Sequence, residues 1–153
     1  MNINIEMISK YNIAFIRQTG PYGSNNIQAM EKLKAWAEVN QLLNDETIIL
    51  GIAWDNPETT KPEDCRYDTC LVILEDYSIY DDYVSRTEII GGNYAVFEIE
   101  HTAEAIQKAW SEIFQELYEH GFQVDFTKPI IERYKYKMVK IHKCEICVPV
   151  YPK

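Results

Sequence analysis

The sequence predicts an α+β domain: a tandem pseudo-two-fold repeat of β-α-β-β units, with an antiparallel sheet, two main helices and a central groove. Three observations carry this expectation. The periodicities run strand, helix, strand, strand, and then repeat. A short pattern recurs 77 positions on, as Asp68-Thr-Cys-Leu-Val and Glu145-Ile-Cys-Val-Pro. The length of 153 residues suits one domain, 1–153, with half one at about 1–76 and half two at about 83–153.

The elements follow in order. Ile3, Ile5 and Met7 alternate with polar residues, and Asn12 to Arg17 continues the strand pattern. Gly20-Pro-Tyr-Gly23 breaks it. Ser24 or Asn25 is then placed to cap a helix whose inner face is read as Ile27, Met30, Leu33, Trp36 or Ala37, and Leu42 or Leu43. Thr47 to Trp54 reads as a strand, a polar loop with two prolines follows, and Tyr67 to Leu74 is the next strand. Glu75 to Asp82 reads as a solvated link between halves. Gly91-Gly92 precedes a strand from Asn93 to His101. Thr102 caps a helix with apolar residues Ile106, Ala109, Trp110, Ile113, Phe114, Leu117 and Tyr118, and Gly121 ends it. Lys128 to Tyr134 and Cys144 to Val150 are the last strands. The halves are aligned through Tyr11, Ala14 and Phe15 against Tyr94, Ala95 and Phe97.

Composition narrows the function. Hydrophobic residues make up 46% of the chain, enough for a true core. No apolar run approaches a membrane span, and no basic, then apolar, leader opens the chain, so the expected address is the cytoplasm. A net charge of −9 disfavours direct nucleic-acid binding and suits a cationic ligand or a protein partner. Arg133, Lys135, Lys137, Lys140 and Lys143 form the one basic cluster, read as a solvated strand edge. Cys144 and Cys147 are spaced like metal ligands. In a strand, however, residues three apart point to opposite faces, so the four cysteines are expected to be buried apolar groups, and neither metal nor cofactor is expected.

Glu132 is the sharpest site candidate. Strand alternation puts Ile130, Glu132 and Tyr134 on one face and Ile131 and Arg133 on the other. A carboxylate in an apolar cleft is costly to bury, and a cationic ligand would relieve that cost. The alternative is an exposed glutamate paired with a lysine. Trp54, Tyr22, Tyr94, Trp110 and Tyr134 are the aromatic candidates, because aromatic faces bind flat or cationic molecules. Core packing competes with that role, most strongly for Trp36 and Trp110. No nucleophile elbow, phosphate loop or dinucleotide fingerprint is present. Acid–base chemistry by Glu132 with Trp54 or a tyrosine remains open.

The segments Ala53-Trp-Asp-Asn-Pro-Glu58, Lys61 to Asp68, Gly91-Gly-Asn-Tyr-Ala-Val96, Ala109-Trp-Ser-Glu-Ile-Phe114, Lys128-Pro-Ile-Ile-Glu-Arg-Tyr134 and Glu145 to Val150 resemble the GyrI-like small-molecule-binding superfamily, in order and over nearly the whole chain. The resemblance implies a groove for lipophilic or cationic small molecules, with Glu132 facing the cation and Trp54 beside it. It also implies a second partner, DNA gyrase, and a role in toxin protection. Some stand-alone members are linked to hydrolysis of DNA-alkylating toxins by a pocket glutamate, so a hydrolase using Glu132 and Trp54 is the alternative. The module also occurs as the effector-binding part of AraC-type and MerR-type regulators. This chain carries no helix-turn-helix and has no room for one, so it is expected to be a stand-alone module. An effector-binding domain cut from a regulator is the further alternative.

Overall fold

The computed structural model describes residues 2–153. Its strands are β1 (Ile3–Ile8), β2 (Tyr11–Thr19), β3 (Ile48–Ala53), β4 (Arg66–Val72), β5 (Ser85–Ile89), β6 (Gly92–Glu100), β7 (Ile131–Lys135) and β8 (Lys143–Pro149). The helices are α1 (Ser24–Val39), α2 (Ala103–Glu119) and the one-turn α3 (Tyr136–Val139). All strand pairs are antiparallel, in the order β1-β6-β8-β7-β3-β4-β2-β5. The α+β repeat with two main helices is therefore the observed architecture.

The register defines the repeat. β2 and β6 have equal length and lie 81 positions apart, and β4 and β8 lie 77 apart. Ile13 pairs with Val72 as Tyr94 pairs with Pro149, and Leu50 pairs with Cys70 as Ile131 pairs with Cys147. Ala14 and Ala95 are thus equivalent, as the sequence suggests. Tyr94, in contrast, corresponds to Ile13 rather than Tyr11, and Phe97 to Ile16 rather than Phe15. The Asp68 and Glu145 segments match as expected.

The halves exchange their first strands. β1 pairs with β6 and β5 pairs with β2. Paired residue numbers add to 100 throughout, from Ile3–Phe97 to Phe15–Ser85, so both pairings belong to one long ladder bent at its middle. Gly91 sits at that bend. A Cβ there would strike the Ile8 carbonyl and lie 2.9 Å from the Lys10 amide nitrogen, so only glycine lets the two connections pass.

Strand alternation sorts the core into three clusters. The inner face of the curled sheet buries the repeat pairs Ile8 and Ile89, Ile13 and Tyr94, Leu50 and Ile131, and Cys70 and Cys147. The other face carries α1 over Ala14, Ile49 and Leu71, and α2 over Ala95, Phe97 and Ile146. The helices match as well: Ala29, Leu33 and Ala37 on α1, and Ala109, Ile113 and Leu117 on α2. Each buried leucine or isoleucine contributes about 1.5–3 kcal/mol of transfer free energy.

Several local expectations change. The α1 N-cap is Gly23, with no side-chain cap, rather than Ser24 or Asn25. Ile27 is 62% exposed, because the buried stripe runs through Ala29, Leu33, Trp36 and Ala37. Thr102 does cap α2, accepting from the Ala105 amide at 3.1 Å, and Gly121 has the left-handed φ of 77°. Phe114 and Tyr118 are exposed. Regular pairing in β7 begins at Ile131 rather than Lys128.

The basic cluster is not a strand edge. β7 and β8 lie in the middle of the sheet, and Arg133 is buried on the inner face. Lys135, Lys137, Lys140 and Lys143 pair with Glu145, Glu46, Asp45 and Glu100. Cys144 packs under α2 and Cys147 on the inner face, so the two thiols point to opposite sides. Burial raises their pKa values, to about 11 for Cys144 and about 12 for Cys147. Among the described residues, no helix is long and apolar enough to cross a membrane.

Candidate functional site

β3 and β7 meet at the centre of the sheet, and Gly51 pairs directly with Glu132. These two residues are also 81 positions apart, so the pseudo-two-fold axis runs through their pair. It leaves the sheet again at the bend between Ser9-Lys10 and Ile90-Gly91, where the long ladder crosses itself. A repeat can place a lone charge on its own axis only by departing from symmetry, and the Gly51–Glu132 pair is such a departure.

The alternation Ile130, Glu132, Tyr134 turns Glu132 toward the helix-bearing face, with Ile130 and Tyr134 packed beside the α2 cluster. Glu132 is half-buried. Its Oε2 accepts a hydrogen bond from the Tyr134 hydroxyl at 2.5 Å, and no lysine or arginine pairs with it among the described residues. Loss of water pushes the Glu132 carboxyl above its usual pKa, and the Tyr134 hydrogen bond pulls it partly back.

Tyr67 completes the group from β4. Its hydroxyl occupies the space above Gly51, where a Cβ would collide with it. Burial holds both phenols neutral, and the adjacent Glu132 reinforces the effect. The ring of Tyr134 lies 5.5 Å from that of His101. His101 is anchored at the end of β6, where its amide donates to the His142 carbonyl at 2.8 Å.

A cavity of about 360 Å³ opens against these groups. Tyr67, Tyr134 and Ile49 line its sheet side, Asn26 and Met30 come from α1, and His101 and Tyr136 also contribute. Ile27 stands at its rim, which explains the exposure of that side chain. The Asn26 Oδ1 is buried without a hydrogen-bond partner, an acceptor left over on the cavity wall. Glu132 does not itself line this cavity; it is joined to it by the hydrogen bond from the Tyr134 hydroxyl. The cavity is thus walled largely by aromatic and apolar side chains and has a volume in the range of small-molecule pockets.

The other aromatic candidates lie elsewhere. Trp54 faces the opposite side of the sheet from Glu132: its indole donates to Asp68 at 2.7 Å, and Asp68 also binds Arg17. The expected pairing of Glu132 with Trp54 is therefore not what the fold builds. Tyr22 stands behind Tyr67, edge-on at 6.4 Å, with its hydroxyl on the backbone of Asp55 and Arg66. Tyr94 is buried in the inner cluster with its hydroxyl unpartnered, and burial raises its pKa to about 12. Trp110 packs into the α2 cluster. Tyr67, His101, Asn26 and Met30 are cavity residues that sequence reasoning missed. For Tyr67 a signal existed, since strand parity puts it on the face of Ala53, its partner in β3.

Residues 1–151 match the family described as the GyrI-like small molecule binding domain. The SPbeta prophage-derived putative transcriptional regulator YosT of Bacillus subtilis (strain 168) is 38% identical over 151 residues, covering 98% of this chain and 99% of that one. The DNA gyrase inhibitor of Citrobacter rodentium (strain ICC168) is 29% identical over 136 residues, covering 88% and 85%. In fold alone, the EcmrR C-terminal domain superposes with a TM-score of 0.76 at 14% identity, covering 99% of this chain and 98% of that one. SAV2435, solved bound to tetraphenylphosphonium, superposes with a TM-score of 0.60 at 16% identity, covering 99% and 94%.

Proposed function

Because this chain belongs to the GyrI-like small-molecule-binding family, we propose that its α1-side cavity takes up an amphipathic cation, with Glu132 as the charge partner and Tyr134 as the hydrogen bond the ligand replaces. The observation that carries this reading is the half-buried Glu132, which lies on the repeat axis with a neutral phenol as its partner. A cation entering beside it restores the ionised carboxylate's lost solvation, and the rings of Tyr67 and Tyr134 accept the ligand's apolar body. The fold neighbour bound to a lipophilic cation supports the same ligand class. On this reading the protein is a cytoplasmic ligand binder that protects the cell from amphipathic toxins.

Inhibition of DNA gyrase is a separable part of the proposal. It is supported by the relatives named for that activity and by the net charge of −9. A second chemical reading, hydrolysis of a reactive small molecule, is favoured by the raised pKa of Glu132 beside a phenol.

Calorimetric titration with lipophilic cations and neutral analogues of similar size tests the ligand reading. Cation-selective, saturable binding is the expected result. If no cation binds, the ligand reading fails and gyrase supercoiling assays test the protein-partner reading. Turnover of an alkylating substrate that is abolished in Glu132→Gln would establish the hydrolytic reading instead.

A further inference from the structure

A second cavity, of about 250 Å³, lies on the inner side of the sheet, away from Glu132. Arg17, Trp54 and Lys128 line it, together with Ile13, Ile90 and Pro129. Asp68 organises the polar wall. It is 2% exposed and accepts from Arg17 Nε at 2.8 Å, Arg17 Nη2 at 2.9 Å and Trp54 Nε1 at 2.7 Å. One buried carboxylate thus fixes a guanidinium and an indole ring side by side. Trp54 lines the cavity and is 40% exposed.

Most acceptors on this wall are engaged, the second oxygen of Glu88 excepted, whereas two cations keep free N–H groups. Both Asp68 oxygens are occupied. Glu88, at the rim, is bridged by Lys10 at 3.3 Å. The Thr127 hydroxyl is turned to Asp125. Arg17 Nη1 makes no hydrogen bond among the described residues. The Lys128 ammonium is ion-paired with Asp125 at 3.8 Å, too long for a hydrogen bond, so its N–H groups are unused among the described residues. Lys128 lies against Gly92, at φ 153°, where a side chain would collide with its ammonium. Two cations with free N–H groups therefore flank an aromatic face and an apolar wall.

We propose that this cavity is a second ligand site, for a small aromatic carboxylate whose ring lies on Trp54 and whose carboxylate bridges Arg17 and Lys128. Planar carboxylate recognition by a guanidinium held in place matches the geometry, and the volume is at the small end of ligand pockets, suiting a single ring. The charge preference is opposite to that of the Glu132 cavity, and the proposal stands independently of that site.

The test follows the Trp54 indole N–H resonance of the intact protein during titration with benzoate and with neutral benzyl alcohol. Benzoate is expected to shift this resonance saturably, and benzyl alcohol is not. Lys128→Met, a partly exposed position, is expected to weaken benzoate about tenfold, the loss of one charge-assisted contact. Glu132→Gln should leave benzoate binding unchanged. Absence of a saturable shift at millimolar benzoate, equal affinity for benzyl alcohol, or loss of binding in Glu132→Gln rather than Lys128→Met would each overturn the proposal.

Discussion

Gly51 and Glu132 face each other across the β3–β7 ladder and are also each other's counterparts in the repeat. Where one half has no side chain, the other has a carboxylate. The neighbouring substitutions follow the same logic: Ala53 corresponds to Tyr134, Tyr67 to Cys144 and Ile52 to Arg133. The hydrophobic positions keep the symmetry, and the polar positions around the axis break it. The candidate site is assembled from those breaks.

Gly51→Ala is expected to displace the Tyr67 hydroxyl from the cavity wall. Forcing a methyl group into this packed position costs about 1–3 kcal/mol. Urea unfolding measures the loss. Adding Tyr67→Phe removes the colliding oxygen and should recover part of it.

Tyr134→Phe removes the one side-chain hydrogen bond to Glu132 among the described residues. Its loss raises the carboxyl pKa further, because that bond is what lowers it. Wherever the carboxylate is ionised in both proteins, cations should bind the variant more tightly, having no phenol to displace. On acidification, affinity should fade at a higher pH than in the wild type. A calorimetric pH series separates the two effects.

Glu132→Gln should stabilise the ligand-free protein. Because burial raises the folded-state pKa, the folded protein holds the proton more tightly than the unfolded chain does. Ionising Glu132 therefore costs stability, and the full cost is present above the folded pKa. Below the unfolded carboxylate pKa it is gone. The variant is expected to gain stability at neutral pH, and the gain should vanish near pH 3. Thermal unfolding at the two pH values checks this.

Arg133→Met strands a carboxylate. Arg133 is 1% exposed and donates to Glu145 at 2.8 Å, to Glu6 at 2.9 and 3.1 Å and to Tyr11 at 3.2 Å. Breaking such a buried pair costs about 3–5 kcal/mol. Glu6→Gln should cost far less, since its side chain is 42% exposed. Adding Glu145→Gln to Arg133→Met should recover part of the loss in a denaturation series.

The repeat, α2 and the orientation of Glu132 were legible because each is written in local periodicity. The α2 stripe Ala109, Ile113, Leu117 is regular and continuous. In Pro129 to Tyr134, simple alternation turns Glu132 with Ile130 and Tyr134 to one face. The exchange of β1 and β5 between halves was not legible, because strand pairing over some 80 residues leaves no local mark. α1 was misread in part because Ile27 serves the cavity rim rather than the core. Trp54 was misplaced by a single residue of parity, since Ala53 is the position on the groove face. Tyr67, His101 and Met30 reach the cavity from three separate elements, and only the tertiary fold brings them together.

Titrating tetraphenylphosphonium into the wild type and Glu132→Gln at pH 8, with neutral triphenylphosphine oxide as the control, tests whether Glu132 is the charge partner. The wild type is expected to bind the cation and discriminate against the neutral analogue, and Glu132→Gln to lose the discrimination while keeping its fold. Equal cation affinity in the two proteins would contradict this and remove Glu132 as the charge partner.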